Sequence, residues 1–366
     1  MALSLLRTGG DSRAASALKQ LIKEVPVDAM PAAQDLLPRL AEALGIPPDR
    51  RAARIRTALQ LAGHAVAGAG ACGASVHPWS DPAYPKLLRE IHDPPIVLWL
   101  RGDARALVEP AVAVVGSRHA TPAGLAMARR LGRELAAAGI TVVSGLARGV
   151  DGAAHEGALE AHGRSIAVLG SGVDVIYPAE HRSLAEGVLG RGLVMSELPP
   201  GTPPLPSHFP LRNRIISGLV RAVVVIEAGE KSGSLITARQ ALEQGRDVLA
   251  VPGNAVSGRY RGSHALIKDG APLVETVEDV LHELRWGAIP GTIGNARAKP
   301  LDLSKLEKQM AIGESYRLDE LLDRTGLTAA AVLAELGSLE VGGRIGRVAG
   351  GGFVRLDNSD IGGGDG

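Results

Sequence analysis

The rhythm of apolar residues along this chain changes at Ala111. Upstream, residues 1–70 show short helical stretches interrupted by Pro26, Pro31, Pro38, Pro47 and Pro48, with no alternating strand pattern between them. Downstream, six short runs that are apolar throughout recur between helical segments: AVAVVG (111–116), ITVVSG (140–145), SIAVLG (165–170), GLVMSE (192–197), AVVVIEA (222–228) and DVLAVPG (247–253). Runs of that kind are expected of parallel strands covered on both faces, and their alternation with helices predicts an α/β fold built on a doubly wound, mostly parallel sheet. Between the first two runs, Leu125, Ala128, Leu131 and Leu135 are spaced by three and four, an inward stripe with Arg129, Arg130, Arg133 and Glu134 outside it.

The same pattern sets expected boundaries. Residues 77–103 are punctuated by proline and read as a packed connector rather than a free linker. The stretch AIPGTIGNARAKP (288–300) loses periodicity and gains Gly and Pro, as a linker does. Beyond it, LDELLDRTG, LTAAAVLAELGSLEVGG and RIGRVAGGGFVRL give helix, turn, helix and hairpin, the order of a winged helix. The predicted organisation is a small helical domain over 1–75, the sheet domain over 76–287, the linker, a winged-helix domain over 301–356 and a disordered tail over 357–366.

Composition narrows the class more than the function. Hydrophobic residues make up 45% and charged residues 22% of 366 residues, which places the chain among folded proteins rather than disordered ones. A net charge of +1 gives no bulk attraction to a polyanion, so any nucleic-acid site has to be local. The lone Cys72 excludes a disulfide framework and a cysteine-rich zinc site. No run of eighteen apolar residues occurs and the first residues lack a secretory signal pattern, so the expectation is a soluble, cytoplasmic protein without membrane contact.

Several enzyme classes lose their usual anchor. Gly68, Gly70 and Gly73 spell G-x-G-x-x-G, but Pro78, Pro82 and Pro85 follow where the motif needs a helix, so the match is ascribed to chance. The first genuine strand-to-helix turn, VVGSRHATPAG, lacks the remaining fingerprint glycines, and the next strand ends in Ser144-Gly145 instead of an acidic ribose ligand, which argues against NAD. P-loop, H-E-x-x-H and G-x-S-x-G motifs are all missing from the sequence, so no cofactor is expected. Asp151 and His155, one helical turn apart, suit an acid–base pair; the blander reading makes Asp151 a helix cap and His155 a packed residue.

Four loops after strand ends remain, and in an open parallel sheet such loops gather along one edge. Gly116-Ser117-Arg118 supplies amides, a hydroxyl and a guanidinium; Ser144-Gly145 and the loop from Gly170 allow close backbone approach; Ser232-Gly233-Ser234 precedes a helix and can cap it. Together they suit phosphate groups. In FPLRNRIISGLV, Arg212 and Arg214 flank Asn213 just after Phe209, a pattern that can clamp backbone phosphates and stack a base. The competing reading puts Phe209 in the core and pairs the arginines with acids such as Glu197 or Glu227.

Taken in order, YPKLLREIHDPP, AVAVVGSRHATPAG, VVSGLARGVDGAAHEGAL, IAVLGSGVDVIYP, SELPPGTPP, FPLRNRIISGL, SGSLITARQALEQGRDVLAVPG and GSHALIKDGA resemble the DNA-processing protein A (DprA/Smf) family over about residues 80–285. The helical start is similar, more loosely, to that family's SAM-like domain, and 301–356 to its winged helix. The resemblance implies an extended Rossmann-like core that dimerises, binds single-stranded DNA and loads the recombinase RecA in natural transformation, with no catalysis. It places Ser117, Arg118, Phe209, Arg212, Asn213, Arg214 and Lys231 at the DNA site, to which the strand-end loops add Gly116, Ser144, Gly145 and Gly170 as expected members. His181 departs from the Asn usual after the YP motif, and Val150 replaces a commoner Ile. A phosphoribohydrolase-like enzyme is the weaker alternative, because AGEKSGSLITA lacks the glycine cluster and the catalytic-type glutamate of that fold's PGGxGTxxE loop. A double-strand reader acting through the winged helix is disfavoured by a recognition-type segment, LTAAAVLAELGSLE, without Lys or Arg.

Overall fold

The computed structural model describes residues 37–39, 41–42, 45–108, 110–284, 304, 306–341, 344–348 and 351–356. The linker, the tail and most of the region before residue 45 lie outside the described residues. Eight strands form the main sheet: β1 (Ser75–Pro78), β2 (Val97–Gly102), β3 (Ala111–Gly116), β4 (Thr141–Ser144), β5 (Ser165–Val168), β6 (Leu193–Ser196), β7 (Ala222–Ile226) and β8 (Asp247–Ala250). Their order is β1-β2-β6-β5-β4-β3-β7-β8. β6 through β8 in that order pair in parallel, whereas β2 runs antiparallel to β6 and β1 antiparallel to β2.

All six expected parallel strands are present. The proline-rich connector does more than pack, since it supplies β1 and β2, the antiparallel edge of the sheet. Proline punctuation hid its strand character, although IVLWL is buried on both faces like the parallel strands: Val97 and Trp99 face the helix α1 (Pro48–Ala71), while Leu98 and Leu100 join the opposite core. Helix α1 also corrects the reading of broken helical pieces. Pro48 stands in its first turn, where a missing N–H costs nothing, so the proline starts a 24-residue helix instead of ending one. Gly68 and Gly70 fall in its last turns, Gly73 follows at φ +69°, and β1 comes next. Helix before strand is the reverse of a dinucleotide fingerprint.

Helices α2 (Lys86–Glu90), α3 (Pro122–Ala137), α4 (Val150–Glu160), α5 (Arg182–Arg191), α6 (His208–Gly218), α7 (Ser234–Glu243), α8 (Arg261–Lys268) and α9 (Val277–Glu283) clothe the sheet. Alternate residues of each strand feed different layers: Val112, Val114, Val224 and Ile226 meet α3, α4 and α9, while Ala113, Val115, Val223 and Val225 meet α6 and α7. The stripe on α3 buries Ala128, Leu131 and Leu135, each leucine contributing about 1.5–3 kcal/mol. Leu125, at its start, stays partly exposed. The C-terminal unit comprises α10 (Leu318–Thr325), α11 (Ala329–Val341) and a sheet of β9 (Ser315–Tyr316), β10 (Ile345–Val348) and β11 (Gly352–Arg355) around Leu321, Val332, Leu336 and Phe353. That is the winged-helix order read from the sequence.

Candidate nucleic-acid interface

From β3 the chain winds outward through β4, β5 and β6, then returns to lay β7 and β8 on the other side of β3. The loops leaving β3 and β7 therefore diverge, and the crevice between them is where ligands bind in open α/β sheets. A groove of about 730 Å³ lies there. Gly116, Ser117 and Arg118 come from the loop after β3, Lys231 to Ser234 from the loop after β7, and Phe209, Arg212 and Asn213 from the first turns of α6. Glu227 links the loops on its two sides. That buried carboxylate at the end of β7 accepts the Thr121 N–H at 2.8 Å and the Thr121 hydroxyl at 2.7 Å, tying the two diverging loops together.

The predicted residues divide by the direction of their side chains. Arg118 is exposed at the rim, with its guanidinium carbon 5.2 Å from the centre of the Phe209 ring. Phe209 is half-buried, seated on Gly170, where an added Cβ would lie 3.1 Å from the ring. Lys231 is exposed on the opposite rim beside the first amides of α7, a polarity that favours anions. Asn213 is half-buried on the groove wall. Ser232 is not a formal cap, but its hydroxyl accepts the Ser234 N–H at 3.4 Å and meets the Ser234 hydroxyl at 2.7 Å.

Four predicted residues sit elsewhere. Ser144 is fully buried and donates to the Val114 carbonyl at 2.6 Å, stitching β4 to β3. Gly145 lies beneath Arg212, where any side chain would collide with the guanidinium. Gly170 acts as the floor under Phe209. Arg214 turns away from the groove and is buried against Glu197 at 2.7 Å and Asp93 at 3.3 Å. The Arg214–Glu197 pair is the arrangement the competing reading allowed.

Arg212 is buried yet lines the groove floor. Its Nη1 donates to the Gly145 carbonyl at 2.7 Å and to the Val168 carbonyl, while its Nε has no hydrogen-bond partner among the described residues. Beside it, Asp151 is not the expected cap. Gly149, at φ +77°, holds that position, and the Asp151 carboxylate instead accepts the N–H groups of Gly145 at 3.1 Å and Ala147 at 3.4 Å. Burial pushes the Asp151 carboxyl up, opposed by Arg212 and those two donors. Burial likewise pushes the Arg212 guanidinium down to about 10, opposed by Asp151. Arg212 thus holds the Gly145 carbonyl while Asp151 holds the Gly145 and Ala147 N–H groups, so the two side chains brace the same loop, which the sequence presented only as Ser-Gly.

His155 has a structural setting. It is fully buried, with Nδ1 2.6 Å from the Ser165 hydroxyl, which itself donates to the Val142 carbonyl at 2.9 Å. The hydroxyl therefore accepts, and His155 is neutral with its proton on Nδ1. Burial first, then the nearby His181 and Arg212, depress its pKa to about 3. The unfolded imidazole titrates near ~6.5, so this contribution to stability is whole above that pH and is lost progressively towards pH 3. His155→Asn is expected to flatten the fall in melting temperature between pH 6.5 and 4 by about one proton's worth; an unchanged slope would place the acid sensitivity elsewhere. His181, in place of the family's Asn, keeps a polar contact through Nδ1 to the Leu146 carbonyl at 2.9 Å. Among the described residues, no group of three or more His, Cys, Asp or Glu side chains could hold a metal ion.

Residues 75–285, which carry this groove, match the family described as DNA recombination-mediator protein A, and residues 311–351 match the DprA winged helix domain. The chain belongs to the DNA recombination-mediator protein A family. Within that family, Protein Smf of Escherichia coli is 42% identical over 281 residues, 75% of each chain. The crystal structure of DNA processing protein A from Streptococcus pneumoniae superposes with a TM-score of 0.68 at 37% identity, covering 77% of this chain and 95% of that one. The family member from Helicobacter pylori, whose structure is described for its single-stranded DNA binding mode, gives 0.53 at 29% identity, covering 58% and 96%. Tyr177 and Asp151 also line the groove without having been assigned to it by the sequence, while Glu227 and His181, outside its lining, anchor Thr121 and Leu146. Only Tyr177 left a usable signal, as an aromatic residue in a loop after an apolar run.

Proposed function

We propose that this protein binds single-stranded DNA in the groove at the β3/β7 switch, without catalysis, and passes the strand to the recombinase RecA as a cytoplasmic homodimer. The proposal includes the five-part organisation read from the sequence, with 76–287 as the DNA-binding unit. The observation that carries it is the stacking of Arg118 over Phe209, above a buried Arg212 whose Nε is left unpartnered. An exposed guanidinium beside a half-exposed ring suits a phosphate and the base next to it, and an unpartnered buried donor suits a second acceptor. Family membership and the single-strand binding mode of the Helicobacter pylori relative support the nature of the ligand.

Matched single- and double-stranded oligonucleotides titrated by fluorescence anisotropy are the direct test, with preference for the single strand expected. Arg118→Ala should weaken binding to all sequences alike and flatten the salt slope by about 0.7, the share of one phosphate contact on a single strand. If affinity and slope both match the wild type, the groove is not the site. Light scattering reads the dimer, and faster assembly of RecA on protein-bound single strands reads the loading step. Preference for the duplex would instead favour the winged helix, but its helix α11 carries no Lys or Arg to meet phosphates.

A further inference from the structure

Of the Phe, Tyr and Trp side chains among the described residues, Tyr177 is the most exposed, at 43%. Aromatic residues are scarce here, with two Phe, four Tyr and three Trp in the whole chain, and Tyr84, Trp99, Tyr260, Tyr316 and Phe353 are all buried. The buried tyrosines also satisfy their hydroxyls: Tyr84 donates to the Pro95 carbonyl at 2.7 Å, Tyr260 to Glu227 at 3.4 Å and Tyr316 to Glu314 at 2.8 Å. The Tyr177 hydroxyl has no such partner among the described residues. Neither core packing nor hydrogen bonding therefore accounts for a large ring at this position.

Its location offers a reason. Tyr177 lines the same groove as Arg118 and Phe209, in the loop that follows β5, and its ring centre lies 5.7 Å from that of Phe209 with the planes inclined at 50°. Two rings so close and so tilted cannot clamp one base between them, because a stacked base needs a parallel face on each side. Each ring offers its own outward face, as aromatic platforms for successive bases do. The loops after β7, β3, β4 and β5 stand side by side in the sheet, so Lys231, Arg118 and Tyr177 mark a track across the strand ends. Three strand spacings make it about 14 Å long. At ~3.4 Å per stacked nucleotide that holds about four nucleotides.

We propose that Tyr177 is a second base-stacking platform beside Phe209, so that a single strand runs from the Lys231 rim past Arg118 and Phe209 to Tyr177. The inference rests on the single-strand reading above and extends it from a pocket to a track. In the full-length protein, Tyr177→Ala should weaken binding of a thymidine oligonucleotide about tenfold, whereas Tyr177→Phe, which keeps the ring, should stay within twofold of wild type. Oligonucleotides carrying one 5-iodo-deoxyuridine at successive positions should cross-link on irradiation to the peptide containing Tyr177 at one position and to that containing Phe209 at another. A purely structural role would not produce the first cross-link.

Tyr177→Ala binding within twofold of wild type, loss of affinity in Tyr177→Phe equal to that in Tyr177→Ala, or cross-links confined to other peptides would each overturn the proposal. The Arg118→Ala protein separates this from a failure of the underlying reading. If Arg118→Ala is weakened while Tyr177→Ala is not, the pocket stands and the track falls. If the wild type binds no single strand at all, both fall together.

Discussion

Arg212→Ala is expected to be the most damaging single change in the groove, destabilising the fold by about 3–5 kcal/mol and abolishing single-strand binding in whatever remains folded. The guanidinium spans the Gly145 and Val168 carbonyls and is the principal countercharge to the buried Asp151 carboxylate. Truncation leaves two carbonyls without their donor, an uncompensated acid and a hole above Gly145, whose lack of a side chain exists to admit Arg212. In a domain of about 200 residues that loss corresponds to roughly 6–20 °C in melting temperature. The coupling is testable in a double-mutant cycle. Asp151→Asn in the Arg212→Ala background should recover part of the stability, since it removes the stranded charge, and strict additivity of the two changes would refute the brace.

Arg214→Ala, two residues along the same helix, is expected to cost a similar 3–5 kcal/mol but by a different route and with a different signature. Its guanidinium joins α6 to Glu197 after β6 and to Asp93 before β2, in a buried position. The Arg214→Ala protein should melt far below the wild type. At a temperature where it is still folded, its salt slope for single-strand binding should equal that of the wild type, because no phosphate contact has been removed. A flattened slope would return Arg214 to the groove. Comparing the melting curves and salt slopes of the Arg118, Arg212 and Arg214 variants separates a rim contact, a buried brace that faces the ligand, and a buried ion pair.

Much of the fold was legible because its cause is local. Six apolar runs flanked by glycine turns are strands in almost any context where helices alternate with them, and the stripe on α3 has one face to bury. The winged-helix order was readable for the same reason. The edge strands β1 and β2 were not, because proline punctuation concealed them and β2 joins the sheet only through β6, nearly a hundred residues downstream, with β1 pairing in turn on β2. Pro48 read as a breaker where it is an initiator, since the same ring blocks a helix interior and favours a first turn.

For the groove, the sequence by itself singled out segments that line it: Gly116 to Arg118, Lys231 to Ser234 and the Phe209 to Arg214 segment all lie near strand or helix ends and contribute residues to it. It determined the family as well, through ordered motifs spanning most of the sheet domain. Only the tertiary structure decided what each side chain does there. At 3.6 residues per turn, two arginines two positions apart point about 200° from each other, so a single clamp made of both was never available to the helix. Which of them meets the groove depends on the angle at which α6 docks against α7, α2 and β5, and that angle is set by buried contacts distant in the chain. The contacts of Glu227 with Thr121 and of Tyr177 with Phe209 arise in the same way, from neighbours that are distant in sequence and adjacent only once the sheet has formed.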